Sequence, residues 1–157
     1  MTTPEIGQLA PDFTLPGITL VEGEPVKSHF TLSERRGRPV VLAFYPADNS
    51  PGCTAQLCSY QDEMDMFRNL GADIWGISRQ ATGSHEKFAR TKRLGFPLLS
   101  DEKGDVVNAY GVGLLGLGVR RSIFIIDTDG LLAWKHVALV GVTFQSADTL
   151  KRELLKL

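Results

Sequence analysis

The sequence predicts an α/β fold in which helices cover both faces of a central mixed β-sheet. The strongest indication is a strand, helix, strand unit over residues 39–78, because such units cross over with a right-handed parallel connection. A strand pair and a closing helix follow towards the carboxyl end. The chain has 157 residues, of which 43% are hydrophobic and 22% charged, so we expect residues 1–157 to form a single packed domain.

The first half of the chain carries the clearest strand and helix patterns. Prolines and glycines break the first 38 residues into short alternating pieces, which predicts an amino-terminal β extension resembling a hairpin. Residues 39–45 are an uninterrupted apolar run, typical of a strand buried on both faces. Residues 52–70 have apolar side chains at helical spacing and predict one long helix, which Gly71 ends. Residues 72–77 are the second buried strand.

The second half predicts shorter elements. Ser84 is expected to cap a helix that runs to Leu94. A turn at residues 127–130 predicts a tight hairpin, and the last helix places Leu150, Leu154 and Leu157 on one apolar stripe. The other predicted elements are a short strand at residues 96–99, a short helix at 101–110, and two strands at 122–126 and 131–137. The final helix is predicted to begin at residue 146.

Charge and targeting signals narrow the class of partner. Seventeen Lys and Arg against 18 Asp and Glu give a net charge of −1, so bulk charge does not recruit nucleic acid or an anionic membrane. The amino-terminal residues have neither a basic head nor an apolar stretch of signal-peptide length, and no run approaches the ~18 apolar residues of a spanning helix. We therefore expect a cytoplasmic protein with no nucleic-acid or membrane partner.

The two cysteines are the most informative residues. Cys53 and Cys58 are too few for a disulfide scaffold or a four-thiolate zinc site. Cys53 begins the long predicted helix, at the carboxyl end of a buried strand, where open α/β sheets place their sites. The positive end of the helix favours thiolate over thiol, but by only about 0.3–1 kcal/mol. A nearby cation is therefore expected, and Arg120 and Arg121 directly precede the predicted strand at residues 122–126.

Cys58 is too distant from Cys53 to bond with it on an intact helix. Their spacing of five positions separates the two Cα atoms by about 8.7 Å on a regular helix, whereas a disulfide tolerates about 7 Å. A functional pair therefore requires the first helical turns to unwind. The alternative is that both cysteines only fill space in the core as small apolar residues. This alternative fits Cys58 better than Cys53, because a cysteine that only packs has no need of the helix amino terminus where Cys53 lies.

The segment FYPADNSPGCTAQLC, residues 44–58, resembles the active-site signature of the peroxiredoxin family. More narrowly, it resembles the PrxQ branch, also called bacterioferritin comigratory protein (BCP). The resemblance implies a thioredoxin-like fold with an amino-terminal extension and a peroxidatic cysteine that reduces hydroperoxides. It also implies recharging by thioredoxin or a glutaredoxin-type dithiol, and no metal, flavin or haem cofactor. Further matching segments are residues 7–13, 76–78, 85–88, 96–101, 109–112 and 121–127.

The resemblance carries roles to individual residues. Cys53 matches the peroxidatic cysteine, and Cys58 matches a resolving cysteine in the same helix. Pro46 matches a proline that shields the pocket, and Arg121 an arginine that holds thiolate and peroxide. Ser50 matches a hydroxyl position where the family most often has threonine. Serine lacks the β-branch that stiffens the threonine rotamer, so its hydroxyl is expected to be less preorganised.

Gln56 and Arg120 receive no catalytic role. Gln56 resembles a polar residue near the active-site entrance of this branch, and we assign it no step in the reaction. Arg120 is the alternative to Arg121 as the catalytic cation, but alternation along a strand sends the two side chains to opposite sides.

A within-chain resolving cysteine needs no partner subunit, so we expect a monomer, with a dimer as the alternative.

Other functions remain open on the sequence. A thioredoxin-like disulfide reductase would have two residues between its cysteines, and this chain has four. A redox-sensing or chaperone-like binding module would use the apolar glycine loop at residues 111–118. In a peroxidase, Leu114 and Leu115 of that loop could line the active-site mouth and admit organic hydroperoxides, or could pack over the sheet end. Three scattered histidines predict surface or structural roles: His29, His85 and His136.

Overall fold

The computed structural model describes residues 3–114, 118–138 and 144–157. The strands are β1 (Thr14–Val21), β2 (Glu24–Thr31), β3 (Val40–Phe44), β4 (Asp73–Ser78), β5 (Leu98–Ser100), β6 (Gly113–Leu114), β7 (Gly118–Val119), β8 (Ser122–Ile126) and β9 (Leu132–Val137). The helices are α1 (Pro51–Asp62), α2 (Met64–Asn69), α3 (Thr82–Lys92), α4 (Asp105–Ala109) and α5 (Ala147–Leu154). A 3₁₀ turn spans Leu32–Arg35.

The central sheet has seven strands in the order β2-β1-β5-β4-β3-β8-β9. β3 pairs parallel with β4, and β4 with β5, whereas the other neighbours are antiparallel. Along β3, Val41 and Ala43 join one apolar cluster, and Val40 and Leu42 join the other. Residues of α1, α2, α3 and α5 cover the first cluster, and α4 covers the second. The predicted mixed sheet with helices on both faces is confirmed.

The amino-terminal extension is the predicted hairpin. β1 and β2 pair from Thr14↔Thr31 to Val21↔Glu24, and β1 also adds antiparallel to β5 at the sheet edge. Glu22 and Gly23 connect the strands with positive φ values of 52° and 81°, the conformation that a tight two-residue hairpin turn requires.

The predicted long helix is wrong in one respect, because it is two helices. Glu63 has φ −108° and ψ 20°, so α1 ends before it and α2 begins after it. The break places Phe67 edge-on against Tyr60, with ring centroids 6.4 Å apart. Apolar residues keep helical spacing across the break, which is why the sequence pattern does not reveal it.

The predicted cap of the next helix is also wrong. α3 begins at Thr82 with Ala81 at the N-cap, and Ser84 lies inside the first turn. The Ser84 hydroxyl instead donates to Asp48 Oδ2 at 2.7 Å, so a partner from another element replaces the local cap. α5 begins directly after Ser146, whose Oγ caps it by accepting from the Thr149 N–H at 3.2 Å. The predicted apolar stripe is wrong at Leu157, because α5 ends at Leu154 and Leu157 is exposed.

Smaller elements differ in their bounds. β5 lies slightly later than predicted, and α4 is shorter, because Gly104 precedes it in the left-handed region with φ +80°. β6 and β7 form a small hairpin that the sequence did not indicate. The loop residues 115–117 lie outside the described part of the chain. Among the residues that are described, none of the helices combines the length and apolar character that a membrane crossing requires.

Candidate active site

Cys53 lies in the first turn of α1, which begins shortly after β3. Ser50 occupies the N-cap, and Pro51 takes the first helical position, where its fixed φ suits the helix and its missing N–H is not needed. The Cys53 side chain is fully buried. The N–H groups of a first turn have no acceptor within the helix, so the positive end of α1 lies at the thiol.

Arg121 brings the cation that the sequence led us to expect. Its side chain is buried, with 7% exposure, and Nη2 donates to Cys53 Sγ at 3.4 Å. Arg121 directly precedes β8, and the antiparallel register pairs Phe44 with Ser122. This register sets the end of β3, from which the chain leads into α1, beside the start of β8. Two residues 68 positions apart in the chain therefore meet.

Gln56 holds the other side of the guanidinium. It is fully buried, and its Oε1 accepts from Arg121 Nη1 at 2.5 Å. Its Nε2 donates to the Tyr60 hydroxyl at 3.2 Å, and that hydroxyl donates to the Gln145 carbonyl oxygen at 2.6 Å. A chain of hydrogen bonds thus runs from Arg121 along α1 to the segment before α5.

One nitrogen of the Arg121 guanidinium has no described hydrogen-bond partner. Nη1 is bonded to Gln56 and Nη2 to Cys53, whereas Nε is buried and has no acceptor among the described residues. A buried donor without a partner is unfavourable, and a substrate oxygen near Cys53 would supply the missing acceptor.

Ser50 and Pro46 precede Cys53 in the chain, and neither has a described hydrogen bond to its sulfur. Ser50 is half-buried, and its hydroxyl donates to the Ala47 carbonyl oxygen at 3.0 Å. Pro46 is exposed at the start of the loop that leads to α1. The structure therefore brings Cys53 and Arg121 together, while the Ser50 hydroxyl is bonded within its own loop.

Cys58 lies in the same helix as Cys53, and both are free thiols. Because α1 is unbroken between them, the helical separation of about 8.7 Å applies. Cys58 is partly buried, and burial raises the pKa of its thiol, to which Asp62 adds and which Lys92 opposes. The protonated thiol is therefore the favoured form of Cys58 while α1 is folded.

The described residues of the apolar glycine loop lie beside a cavity away from Cys53. Leu114 lines an open cavity of about 520 Å³ together with Arg120, Val137 and Asn108. That cavity is lined by none of the residues that surround Cys53. Leu115 falls outside the described residues, so its predicted place at the active-site mouth stays a prediction.

Comparison with known proteins identifies the family. Residues 6–135 match the model of the AhpC/TSA family. The chain belongs to this family. Peroxiredoxin Q, chloroplastic, from Sedum lineare is 41% identical over 128 residues, covering 80% of this chain and 65% of that protein. Peroxiredoxin Bcp from Bacillus subtilis (strain 168) is 37% identical over 158 residues, covering 95% and 96%.

A solved structure supports the same placement of this AhpC/TSA protein. The crystal structure of peroxidoxin BcpB from Mycobacterium tuberculosis has a TM-score of 0.81 and 34% identity, covering 97% of each chain. The thioredoxin-like fold and the resemblance to the PrxQ/BCP branch are confirmed. The chain spans less than two thirds of the chloroplastic relatives it matches, 65% of the Sedum protein and 57% of the Oryza sativa subsp. japonica protein.

Gln56 is the site residue to which the sequence reasoning gave no role. A signal was present, because Gln56 follows Cys53 by three positions and residues at that spacing share a helix face. A polar side chain on the buried face of α1, beside Leu57 and Tyr60, needs a polar partner. That partner, Arg121, comes from another element and cannot be read from the local pattern.

Proposed function

We propose that the protein is a thiol peroxidase in which Cys53 reduces hydrogen peroxide and organic hydroperoxides. The observation that carries this proposal is the contact between Arg121 Nη2 and Cys53 Sγ at 3.4 Å, at the buried amino terminus of α1. A guanidinium and a helix amino terminus both stabilise a thiolate, the nucleophilic form of cysteine. Membership of the AhpC/TSA family supports the same chemistry.

The first step oxidises Cys53. Its thiolate attacks one oxygen of the peroxide, an S–O bond forms, and the O–O bond breaks. The departing oxygen takes a proton from solvent and leaves as water or an alcohol, while Cys53 becomes a sulfenic acid. The charge that develops on this oxygen is stabilised by the free Nε–H of Arg121, the first-turn N–H groups and the Ser50 hydroxyl, once that hydroxyl turns from Ala47. Pro46 shields the thiolate from bulk water.

The second step forms a disulfide within the chain. The Cys58 sulfur attacks the Cys53 sulfenic acid, an S–S bond forms, and water leaves. A disulfide spans about 7 Å or less between Cα atoms, so the first turns of α1 unwind before the sulfurs meet. Burial raises the pKa of Cys58 in the folded helix, and unwinding removes that burial. Cys58 therefore becomes a better nucleophile as it comes within reach.

An external dithiol completes the cycle. Thioredoxin or a glutaredoxin-type protein reduces the disulfide by thiol exchange, and a hydroperoxide is the only other reactant. This chemistry requires no metal or organic cofactor. We place the protein in the cytoplasm, where thioredoxin-type dithiols are available to reduce the disulfide. We assign a monomer, because both reacting cysteines belong to one chain.

Stopped-flow measurement of peroxide consumption tests the proposal. We expect wild type to turn over with a dithiol, Cys53→Ser to be inert, and Cys58→Ser to consume about one equivalent and stop as a sulfenic acid. Rapid consumption by Cys53→Ser would overturn the assignment. Reduction of insulin disulfides without peroxide consumption would identify a disulfide reductase instead.

A further inference from the structure

A buried polar cluster lies directly before the helix that carries Cys53. The Asp48 side chain is 1% exposed, and it accepts hydrogen bonds on both oxygens. Tyr45 Oη donates to Oδ1 at 2.6 Å, and the Ser84 hydroxyl donates to Oδ2 at 2.7 Å. His85 Nδ1 lies 2.7 Å from Oδ2, and the backbone N–H of Asp48 donates to Gln80 Oε1. The Asp48 carboxylate is therefore the centre of a buried hydrogen-bond network.

His85 links the Asp48 carboxylate to the central sheet. Its side chain is fully buried, and Nε2 lies 3.0 Å from the Leu99 carbonyl oxygen, which only accepts hydrogen bonds. Nδ1 faces the Asp48 carboxylate. Burial acts to raise the pKa of Asp48, but the hydrogen bonds from His85, Tyr45 and Ser84 outweigh it and hold the pKa below its ordinary value, so the carboxylate is ionised.

The network ties the approach to Cys53 to three rigid elements. Residues 46–50, which we call the pre-cysteine loop, connect β3 to α1. Asp48 of this loop is held to Tyr45 at the end of β3 and to Ser84 and His85 in α3, and His85 is held in turn to Leu99 in β5. The pre-cysteine loop is thereby fixed to β3, α3 and β5.

We infer that Asp48 and His85 are positioning residues for the reaction of Cys53. Their buried contact makes the pre-cysteine loop the fixed side of the hinge about which α1 unwinds, so Cys53 meets Arg121 in the folded helix and returns to the same place after each cycle. This inference rests on the proposed peroxidase function. Attack on an O–O bond requires close alignment, and a displacement of about 1 Å costs about 100-fold in rate in comparable reactions. Removing one partner of a buried hydrogen bond leaves the other partner unsatisfied, which displaces the loop that carries it.

The test uses the Cys58→Ser protein, in which only the first step occurs. Asp48→Asn, His85→Gln and the double variant are compared with Asp101→Asn. Asp101 is a matched control because it is also buried and accepts the Val107 N–H at 2.8 Å, in a loop after β5. Three quantities are measured for each protein: the second-order rate constant with hydrogen peroxide, the rate of Cys53 alkylation by iodoacetamide, and the midpoint of thermal unfolding.

We expect each single variant to lower the peroxide rate constant by about tenfold or more while the alkylation rate stays the same or rises, because alkylation needs no aligned donors. The double variant should lose no more than the worse single variant, as coupled residues do. Asp101→Asn should lose thermal stability without losing peroxide rate. Equal falls in the peroxide and alkylation rates, or single variants with the parent peroxide rate, would overturn the inference.

Two further readouts keep the result decisive. If either single variant fails to fold, Asp48→Glu takes its place, because it keeps the carboxylate but its longer side chain no longer meets His85 Nδ1 with the loop in the same position. A parent ratio of peroxide to alkylation rate in Asp48→Glu would also overturn the inference. The Cys58→Ser parent tests the proposed function separately: if it consumes no peroxide, the proposed function fails and this inference with it.

Discussion

Replacing Gln56 by leucine should slow the reaction of Cys53 with peroxide. Leucine fills similar space but accepts no hydrogen bond, so Arg121 Nη1 loses the partner that it has at 2.5 Å. Arg121 Nε has no acceptor among the described residues, so the guanidinium would then have two buried donor nitrogens without a described partner and would rotate away from Cys53 Sγ. A hydrogen bond to a charged group contributes about 1.5–3 kcal/mol, and each 1.4 kcal/mol is a factor of ten. We expect the rate constant to fall by about 10- to 100-fold.

Gln61 provides the matched control for this experiment. It lies in the same helix, and its Oε1 accepts the Gly95 N–H at 2.6 Å, remote from Arg121. Gln61→Leu should therefore cost stability as Gln56→Leu does, but leave the peroxide rate constant unchanged. Both variants are compared by stopped-flow peroxide consumption in the Cys58→Ser protein. Rate constants for the two variants within twofold of each other would refute the reasoning.

Three further outcomes follow from the same contacts. Arg121→Lys keeps the charge but loses the planar fork that reaches Cys53 and Gln56 together, so the peroxide rate constant should fall by about 100-fold or more, and a loss below tenfold would contradict this. Ser50→Thr adds the β-branch that stiffens the rotamer and should raise that rate constant about twofold, whereas a fall would show that the serine hydroxyl is already well placed. The pKa of folded Asp48 lies below its ordinary value of 3.8, so its ionisation stabilises the folded state above that pH and the contribution is lost as pH falls through the lowered pKa. In urea unfolding, the stability difference between wild type and Asp48→Asn should therefore shrink as pH falls below 3.8, and a constant difference would contradict the linkage.

Elements with strong local patterns were predictable from the sequence. β3 is an apolar run with every residue buried, and the β1–β2 hairpin has Gly23 in its turn with positive φ. The cap of α5 at Ser146 is also local, since its acceptor and donor lie three residues apart. In each case the deciding interactions lie within a few residues of one another, so the pattern and the structure agree.

Elements decided by distant residues were predicted less well. The break at Glu63 leaves the apolar spacing intact, so periodicity alone cannot show it. Ser84 has the character of a helix cap, but a buried carboxylate 36 positions earlier takes its hydroxyl. Local propensity is weak compared with the cost of leaving the buried Asp48 oxygens without donors, so the tertiary partner prevails.

The sequence by itself was enough to select Cys53 as the candidate reactive residue. Cys53 at a helix amino terminus after a buried strand, and an arginine before another strand, follow from periodicity and chain order. Only the tertiary structure decided how they meet: the β3–β8 register sets Arg121 against Cys53, and packing brings Gln56 to Arg121 and His85 to Asp48. Hydrogen bonds between residues this far apart depend on register and packing across the sheet. No local pattern of residues encodes that geometry.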